Sequence, residues 1–547
     1  MTSSRPTPAS VAGALFEFSL RPAQLQAADS AAAGRDTLAV LPTGSGKSAI
    51  YQAAGLARGG LTLVISPLIA LQRDQLRSIA GRAYGDRTIN AALLNSSQKV
   101  HERRDTLARL EKGELDFVYL GPEQLTNAET RAAIRNVTLF VVDEAHLVSE
   151  WGQEFRPEYL RLGDAITEFG RPPILALTAT ASPPVQADIT RRLGMRDAEV
   201  VIADFDRPNI SLSMRPTQPS KPEARAVDDR CVDVLIQHDT PALVYALTHA
   251  RCESLADRLR LDAFRSAPYH GGMTAAARAQ VQDDFFAGKL DVVVATSAFG
   301  MGIDKSDIRT VVHAGVPASI DDYYQEIGRA GRDGEPAVAV LVHDPRTIRI
   351  PRLLAARTHL GEDAVHHVVD AIENAPGQAT LADLTAQAGV PGHAVERVVN
   401  ELAELGFVGV TGSGHHRVVA CEQDLTPPAE LADQLVDLDR RRQAVLTSRI
   451  EAARAYAEST RCRRAELLAY FGETYTPPCE NCDNDRAAST SERSSATVTG
   501  GAPVHHRLWG DGQLLSRDDH ELLVYFPSVG YKHLTASVIS SGILQPR

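Results

Sequence analysis

At 547 residues the chain exceeds what a single hydrophobic core can serve, and a prior of roughly 100–200 residues per domain divides it into several units. Its net charge of −12 excludes a uniformly basic surface but leaves room for a local groove that meets phosphates. No apolar run approaches the ~20 residues that span a bilayer, and the N-terminal stretch lacks a signal-peptide layout, so a cytoplasmic chain with no membrane association is expected.

Short apolar runs alternate with helix-like stretches through residues 1–203, at Thr37–Leu41, Leu61–Ile65, Asp116–Leu120, Leu139–Val142 and Pro173–Leu177. The pattern restarts after Phe205-Asp-Arg-Pro208 and fills residues 204–350, with runs at Ala242–Tyr245, Asp291–Ala295, Thr310–His313 and Ala337–Val342. Such runs are the signature of parallel strands covered on both faces by helices. The expected fold class is therefore α/β, with two tandem parallel-sheet lobes and a cleft between them.

The texture changes over residues 361–422. Helix-like Ala364–Glu373, Thr380–Ala388 and Val390–Gly406 precede an alternating stretch, Phe407–Val419, in an order that resembles a winged helix-turn-helix. The helix that would read a duplex carries Glu396, Glu401 and Glu404 against Arg397, poor chemistry for phosphate contact, so a structural or docking role stands beside duplex reading. Residues 427–485 read as one or two long helices followed by a cysteine cluster. Residues 486–502 read as a Ser/Thr/Ala/Gly-rich linker, and 503–547 as a small β-rich unit alternating around a Gly510-Asp-Gly512 turn. Cys231, Cys252 and Cys421 are scattered and expected to be buried packing thiols.

The most specific local feature is Leu41-Pro-Thr-Gly-Ser-Gly-Lys-Ser48, which follows a strand and opens a helix. Glycines let successive N–H groups of Thr43, Gly44, Ser45 and Gly46 face phosphate oxygens, reinforced by the helix N-terminus. Lys47 can reach the β- and γ-phosphates, and the Ser48 hydroxyl can ligate Mg²⁺. Leu139-Phe-Val-Val-Asp-Glu-Ala-His146 ends a strand on two carboxylates, Asp143 suited to the Mg²⁺ shell and Glu144 to deprotonating a water. In the second lobe, Tyr323-Tyr-Gln-Glu-Ile-Gly-Arg-Ala-Gly-Arg-Asp-Gly334 offers Gln325, Arg329 and Arg332, the two arginines on one face if helical, for charge developing on a γ-phosphate.

With these residues the chain resembles, motif after motif over residues 16–345, a superfamily-2 DEAH-box helicase of the RecQ family. The resemblance implies RecA-like lobes using ATP and Mg²⁺. It implies adenine contacts from Arg21 and Gln24 in Leu20–Gln24, and second-lobe nucleotide contacts from Gly302 and Asp304 in Ala295–Lys305. Ser66 in Ser66–Gln75 belongs to a strand-gripping motif, and Ala176–Ala181 to the motif coupling hydrolysis to lobe movement. Ser149-Glu-Trp-Gly-Gln-Glu-Phe-Arg-Pro-Glu-Tyr159 resembles the family's loop for sensing single-stranded DNA. Trp151 and Phe155 there offer stacking faces and Arg156 a cation, although two aromatics packed under a loop would read the same way.

Cys462, Cys479 and Cys482, at CX16C and CX2C spacing, resemble the family's zinc subdomain, with Asp485 at the position of its fourth cysteine. A Cys₃Asp site for Zn²⁺ and a relic fold held by packing both fit. Val504–Leu515, Leu522–Phe526 and Gly530–Leu534 resemble the Tudor-like barrel that ends UvrD-type helicases, which engages RNA polymerase or nucleic acid; a plain stabilising barrel fits equally. The resemblance implies a monomeric, ATP-dependent 3′-to-5′ DNA helicase acting on single-stranded and tailed or forked duplex DNA in repair or recombination. The rivals are a translocase or RNA-directed ATPase that does not unwind DNA, and a regulatory binding protein with a vestigial motor.

Overall fold

The computed structural model describes residues 6–42, 44–95, 97–149, 159, 162–299, 305–357, 359–375, 377–411, 417–421, 428–487, 502–517 and 521–547. Lobe 1 opens with α1 (Pro8–Leu15) and α2 (Pro22–Ala32), then β1 (Thr37–Val40), α3 (Lys47–Arg58), β2 (Leu61–Ile65) and α4 (Ile69–Ile79). A small hairpin, β3 (Ala83–Tyr84) and β4 (Arg87–Thr88), leads to β5 (Ala91–Leu94), α5 (Val100–Glu111), β6 (Phe117–Leu120) and α6 (Ala128–Ala133). The lobe closes with β7 (Val137–Val142), α7 (Leu162–Glu168), β8 (Ile174–Thr178), α8 (Pro183–Arg192) and β9 (Glu199–Ile202). Its strands form one parallel sheet, β5-β6-β2-β7-β8-β1-β9. β1, β2, β6 and β8 are buried at every position, which is why their Val/Ile/Leu runs do not alternate.

Lobe 2 comprises β10 (Ile210–Pro216), α9 (Glu223–Gln237), β11 (Ala242–Tyr245), α10 (His249–Leu261), β12 (Ser266–Tyr269), α11 (Ala275–Phe286) and β13 (Val292–Ala295). It continues through β14 (Thr310–His313), α12 (Ile320–Ile327), β15 (Ala337–His343) and α13 (Arg349–Ala356). The parallel order is β10-β15-β14-β11-β13-β12. Every strand named from the sequence is present. The ones that escaped it, such as β12, carry the reason in their residues: Pro268 has no N–H to donate and is tolerated because β12 is the sheet's outer strand.

The next unit has α14 (Glu362–Glu373), β16 (Gln378–Thr380), α15 (Leu381–Ala388), α16 (Gly392–Glu404), β17 (Val408–Thr411) and β18 (Val418–Cys421). The antiparallel order β16-β18-β17 is that expected of a winged helix. Its core does not end at residue 422, because Leu431, Ala432, Leu435 and Val436 of the 31-residue helix α17 (Pro428–Glu458) complete it. That helix, about 46 Å long at 1.5 Å per residue, is followed by α18 (Arg463–Tyr470) and α19 (Asp483–Ala487). The C-terminal unit contains β19 (Ala502–His506), β20 (Gly510–Arg517), β21 (Glu521–Phe526), β22 (Gly530–Thr535), α20 (Ser537–Ser540) and β23 (Leu544–Pro546).

Two expectations change here. The Gly510-Asp-Gly512 segment is not the turn of a hairpin but lies within β20, opposite His506, His505 and Val504, and the turn is made by residues 507–509. The expected barrel is, in its described ladders, a five-stranded antiparallel sheet ordered β22-β21-β20-β19-β23. Of the scattered thiols Cys231 and Cys252 are buried, whereas Cys421, at the end of β18, is exposed. Among the described residues no helix is long and apolar enough to cross a membrane.

Asp36 ties the bottom of the lobe 1 sheet together. Its carboxylate accepts from the Arg171 guanidinium and from the Ile174 and Arg196 N–H groups at 2.9 and 2.7 Å. Burial alone would raise its pKa, but these donors outweigh burial and hold it below 3.8. Asp36→Ala is expected to cost about 3 kcal/mol, read as a lower urea midpoint for lobe 1. The contribution is full above the ordinary value of 3.8 and is lost as the pH falls through the depressed one.

Candidate active site

The carboxyl ends of β1, β7 and β8 converge on one side of lobe 1. After β1 the backbone turns through Gly44 and Gly46, both at φ +75°, a left-handed conformation glycine adopts without a Cβ penalty. Lys47 then opens α3, its ammonium 3.4 Å from the Leu41 carbonyl it donates to. Gln24, expected at adenine, is buried and braces this loop: its amide nitrogen donates to the Ser45 and Gly46 carbonyls, while its oxygen accepts the Arg21 N–H at 2.7 Å. The Arg21 side chain is exposed at the start of α2, and Ser48 is half-buried in the first turn of α3.

Asp143 sits one residue beyond β7, its N–H donating to Ile65 at 2.9 Å. One carboxylate oxygen accepts from the Gln75 amide at 2.7 Å, the other from the Glu144 N–H at 3.1 Å. Burial and the Glu144 charge raise its pKa to about 6, against Lys47 and the two hydrogen bonds. Burial also pulls the Lys47 ammonium down, opposed by Glu144 and Asp143. Glu144 is held at φ +51°, a strained conformation for a residue with a Cβ, and its buried Oε2 has no hydrogen-bond partner among the described residues. That oxygen is free to accept a proton. Behind it His146, pushed down to about 4 by burial and so neutral at pH 7, lies 2.9 Å from the Thr178 hydroxyl. That hydroxyl donates to the Thr180 carbonyl, so its oxygen accepts and His146 Nδ1 carries the proton. His146 Nδ1 also lies 3.5 Å from Glu144 Oε2, so the ring stands between that carboxylate and the Thr178-Ala-Thr180 segment at the end of β8.

Lobe 2 faces this pocket with α12 and the loop after it. Gln325 is buried on α12, but the helix ends at Ile327, so Arg329 and Arg332 do not share a helical face as expected. Gly331, at φ +54°, turns the chain where an added Cβ would meet Asn209 and the Glu335 carbonyl. Arg329 is buried against Tyr245, whereas Arg332 crosses the cleft and lies against Gly44; a Cβ there would sit 3.2 Å from Arg332 Cδ. Two residues hold the loop. Arg207 donates to the carbonyls of Gly328, Ala330 and Gly331 at 2.8–3.2 Å, and Asn209 donates to Gly331 and Glu335. Both belong to Phe205-Asp-Arg-Pro-Asn209, the start of lobe 2, where the sequence shows no partner for them; Gln75 likewise stood in a strand-gripping motif and proves to hold Asp143.

Ser66, expected to touch nucleic acid, is fully buried at the end of β2. Thr43, Trp151, Phe155, Arg156, Gly302 and Asp304 lie outside the described residues.

The cysteine cluster forms a second centre. The sulfurs of Cys462, Cys479 and Cys482 and a carboxylate oxygen of Asp485 all lie within 4.8 Å of one another. Asp485 accepts the Cys479 N–H at 2.6 Å through Oδ2, and its own N–H donates to Cys482 Sγ at 3.4 Å. Hydrogen bonds from Cys462 and Cys479 lower the Cys482 pKa far below that of a free thiol, while Cys479 is pushed up to about 12. A four-donor arrangement rich in sulfur fits a tetrahedral Zn²⁺. On the winged-helix unit two α16 charges meet α17, Glu401 pairing with Arg442 and Arg397 with Asp439, whereas Glu396 is exposed and pairs with Arg417.

Comparison with known proteins agrees with this geometry. Residues 21–189 match the DEAD/DEAH box helicase family, 227–334 the helicase conserved C-terminal domain and 423–486 the RecQ zinc-binding family. The ATP-dependent DNA helicase RecQ of Haemophilus influenzae is 34% identical over 482 residues, covering 88% of this chain and 63% of that protein. The chain therefore spans about three fifths of the length of that relative. The probable ATP-dependent DNA helicase RecS of Bacillus subtilis is 32% identical over 486 residues, covering 86% of this chain and 91% of that one. The solved structure of Mycobacterium smegmatis helicase Lhr bound to ssDNA and AMP-PNP shares the fold at TM-score 0.50 and 22% identity, over 78% of this chain and 60% of its own. Likeness sustained along nearly the whole of one relative, with a matching zinc-binding family behind the two lobes, makes this chain a member of the RecQ family of helicases.

Proposed function

We propose that the chain hydrolyses ATP between its lobes and uses the cycle to move 3′-to-5′ along single-stranded DNA, displacing the complementary strand of tailed or forked duplexes, in DNA repair or recombination. The observation that carries this reading is Arg332 of lobe 2 lying against Gly44 of the phosphate loop, on the pocket that holds Lys47, Asp143 and Glu144. Lys47 binds the β- and γ-phosphate oxygens, and the Gly44–Lys47 backbone cradles them. Asp143 and Ser48 would hold Mg²⁺, which when bound would neutralise phosphate charge. Glu144 orients a water and takes its proton as the oxygen attacks the γ-phosphorus and the bond to the β-phosphate oxygen breaks. Arg332, with Arg329 and Gln325, stabilises the charge spread over the transferring group. His146 and Thr178 pass the state of that carboxylate to the strap after β8. The acting form is a cytoplasmic monomer.

Strand displacement on duplexes with 3′ or 5′ single-stranded tails tests the reading, with Lys47→Ala as the control. Unwinding from the 3′ tail alone, lost in Lys47→Ala, is expected; ATP hydrolysis with no displacement from either tail would sink the helicase assignment and leave a translocase. The clamp on the arginine loop yields a separate expectation. Arg207→Ala should lower kcat for DNA-stimulated hydrolysis about ten- to hundred-fold with little change in KM, because the loop and not the nucleotide cradle is loosened.

Cys462, Cys479, Cys482 and Asp485 hold one Zn²⁺ in this reading. Metal analysis of the purified chain should find about one equivalent, reduced in Cys479→Ser; the absence of zinc at that level would leave packing as the role of the cluster. The pairing of Glu401 and Arg397 with α17 favours the winged-helix unit as a strut over a duplex reader, and a protein partner such as RNA polymerase is assigned to the C-terminal unit.

A further inference from the structure

The C-terminal sheet is built into the seam between the lobes. The turn into β22 presses on α17 so closely that Gly530, at φ +73°, could not carry a side chain: its Cβ would collide with the Ser448 side chain and come within 3.0 Å of the Val445 Cα. The next residue, Tyr531, donates its N–H to Ser448 Oγ at 2.9 Å and points its ring into the seam, stacked on Tyr470 with centroids 5.3 Å apart.

Four buried hydroxyl and carboxyl groups from four parts of the chain meet there, and the guanidinium of Arg449 joins them as a fifth. Asp321, in the first turn of α12 and one turn ahead of Gln325, accepts from Arg449 of α17 at 3.0 Å and from the Tyr470 hydroxyl at 2.6 Å. The Tyr470 oxygen lies 3.0 Å from the Tyr531 hydroxyl, which in turn lies 3.2 Å from Ser182 Oγ. Ser182 directly follows the Thr178–Ala181 strap of lobe 1. It stands at the N-cap of α8, where a serine hydroxyl ordinarily caps the helix, yet it makes no cap bond. The proton count fixes the direction of the chain. The carboxylate can only accept, so Tyr470 donates to it; Tyr531 must then donate to Tyr470, and Ser182 to Tyr531. All four are almost completely buried, so none can exchange its partner for water without the seam opening.

We propose that the C-terminal sheet latches the two lobes in the closed arrangement, with Tyr531 the positioning residue that ties the lobe 1 strap to the lobe 2 helix carrying Gln325 and the arginine loop. Opening breaks the chain at Ser182, because Tyr470, α17 and the sheet are held to lobe 2 through Asp321 and through Arg464, which bonds Asp206 and the Ile210 carbonyl. The latch rests on the motor reading above for its consequence, which is that the sheet lowers the nucleotide concentration at which the cleft closes.

The test uses the full chain with a dye pair on bio-orthogonal side chains at exposed Lys112 in lobe 1 and Leu261 in lobe 2, comparing wild type, Ser182→Ala, Tyr531→Phe and the double variant. Each single change should lower the closed-to-open ratio about five- to ten-fold, as the loss of one buried hydrogen bond does, and raise KM for ATP by a similar factor, with kcat at saturating ATP and DNA nearly unchanged. The double variant should be no worse than either single one, because both remove the same bond. Equal dye distances in all four chains, or additive losses in the double variant, overturn the latch. A wild type that hydrolyses no ATP overturns the motor reading instead, and the dye distances alone then support or sink the latch.

Discussion

Arg332 can act on a phosphate held at Gly44–Lys47 only while its loop is rigid and its lobe is near, and both conditions are met by hydrogen bonds made far from the phosphate. Rigidity comes from Arg207 and Asn209, which satisfy the carbonyls of a loop that Gly331 turns out of helical geometry. Nearness comes from α17, α18 and the C-terminal sheet, which pack against the two lobes. Remove either and the lobes keep their sheets, because those are buried on both faces, but the pocket between them loses one wall.

The long helix α17 is the element that makes this packing one body. Its first half completes the winged-helix core through Leu431 and Leu435, its middle carries Arg449 to Asp321 and Ser448 to Tyr531, and its end meets the cysteine module at Tyr456, whose carbonyl accepts from Arg463. Charges that would otherwise face solvent are paired across it, as Arg442 is with Glu401. The modules behind the motor are thus held on a single strut with a different neighbour on each stretch.

Much of the motor was legible in the sequence, since its strands are short continuous apolar runs and its phosphate loop and DEAH segment need particular residues at particular spacing. What could not be read were partners. Nothing in Ser66–Gln75 says that Gln75 will hold Asp143, and nothing around Leu20 says that Gln24 will brace Ser45, because each pair is brought together by the sheet order. The arginine spacing invited a helix that glycine ends early. The boundary at residue 422 looked firm because the composition changes there, yet the core beneath it continues into α17. Tyr531 was one aromatic in an alternating tail, and only its position opposite Tyr470 and Ser182 gives it a role.

The cysteine module has one more consequence, which lies in β10. This strand lies at the edge of the lobe 2 sheet opposite β12, and an unpaired strand edge is a template for any other chain that can add to it. The module covers part of that edge: the Leu212 N–H donates to the Asn481 carbonyl at 3.1 Å, Cys482 bridges Leu212, and the Met214 N–H donates to the Asp483 carboxylate at 2.7 Å. The turn that carries the thiols is therefore also a guard against strand addition. A chain whose cysteine turn is unfolded would first betray itself by sticking to its own copies, with the nucleotide pocket still intact.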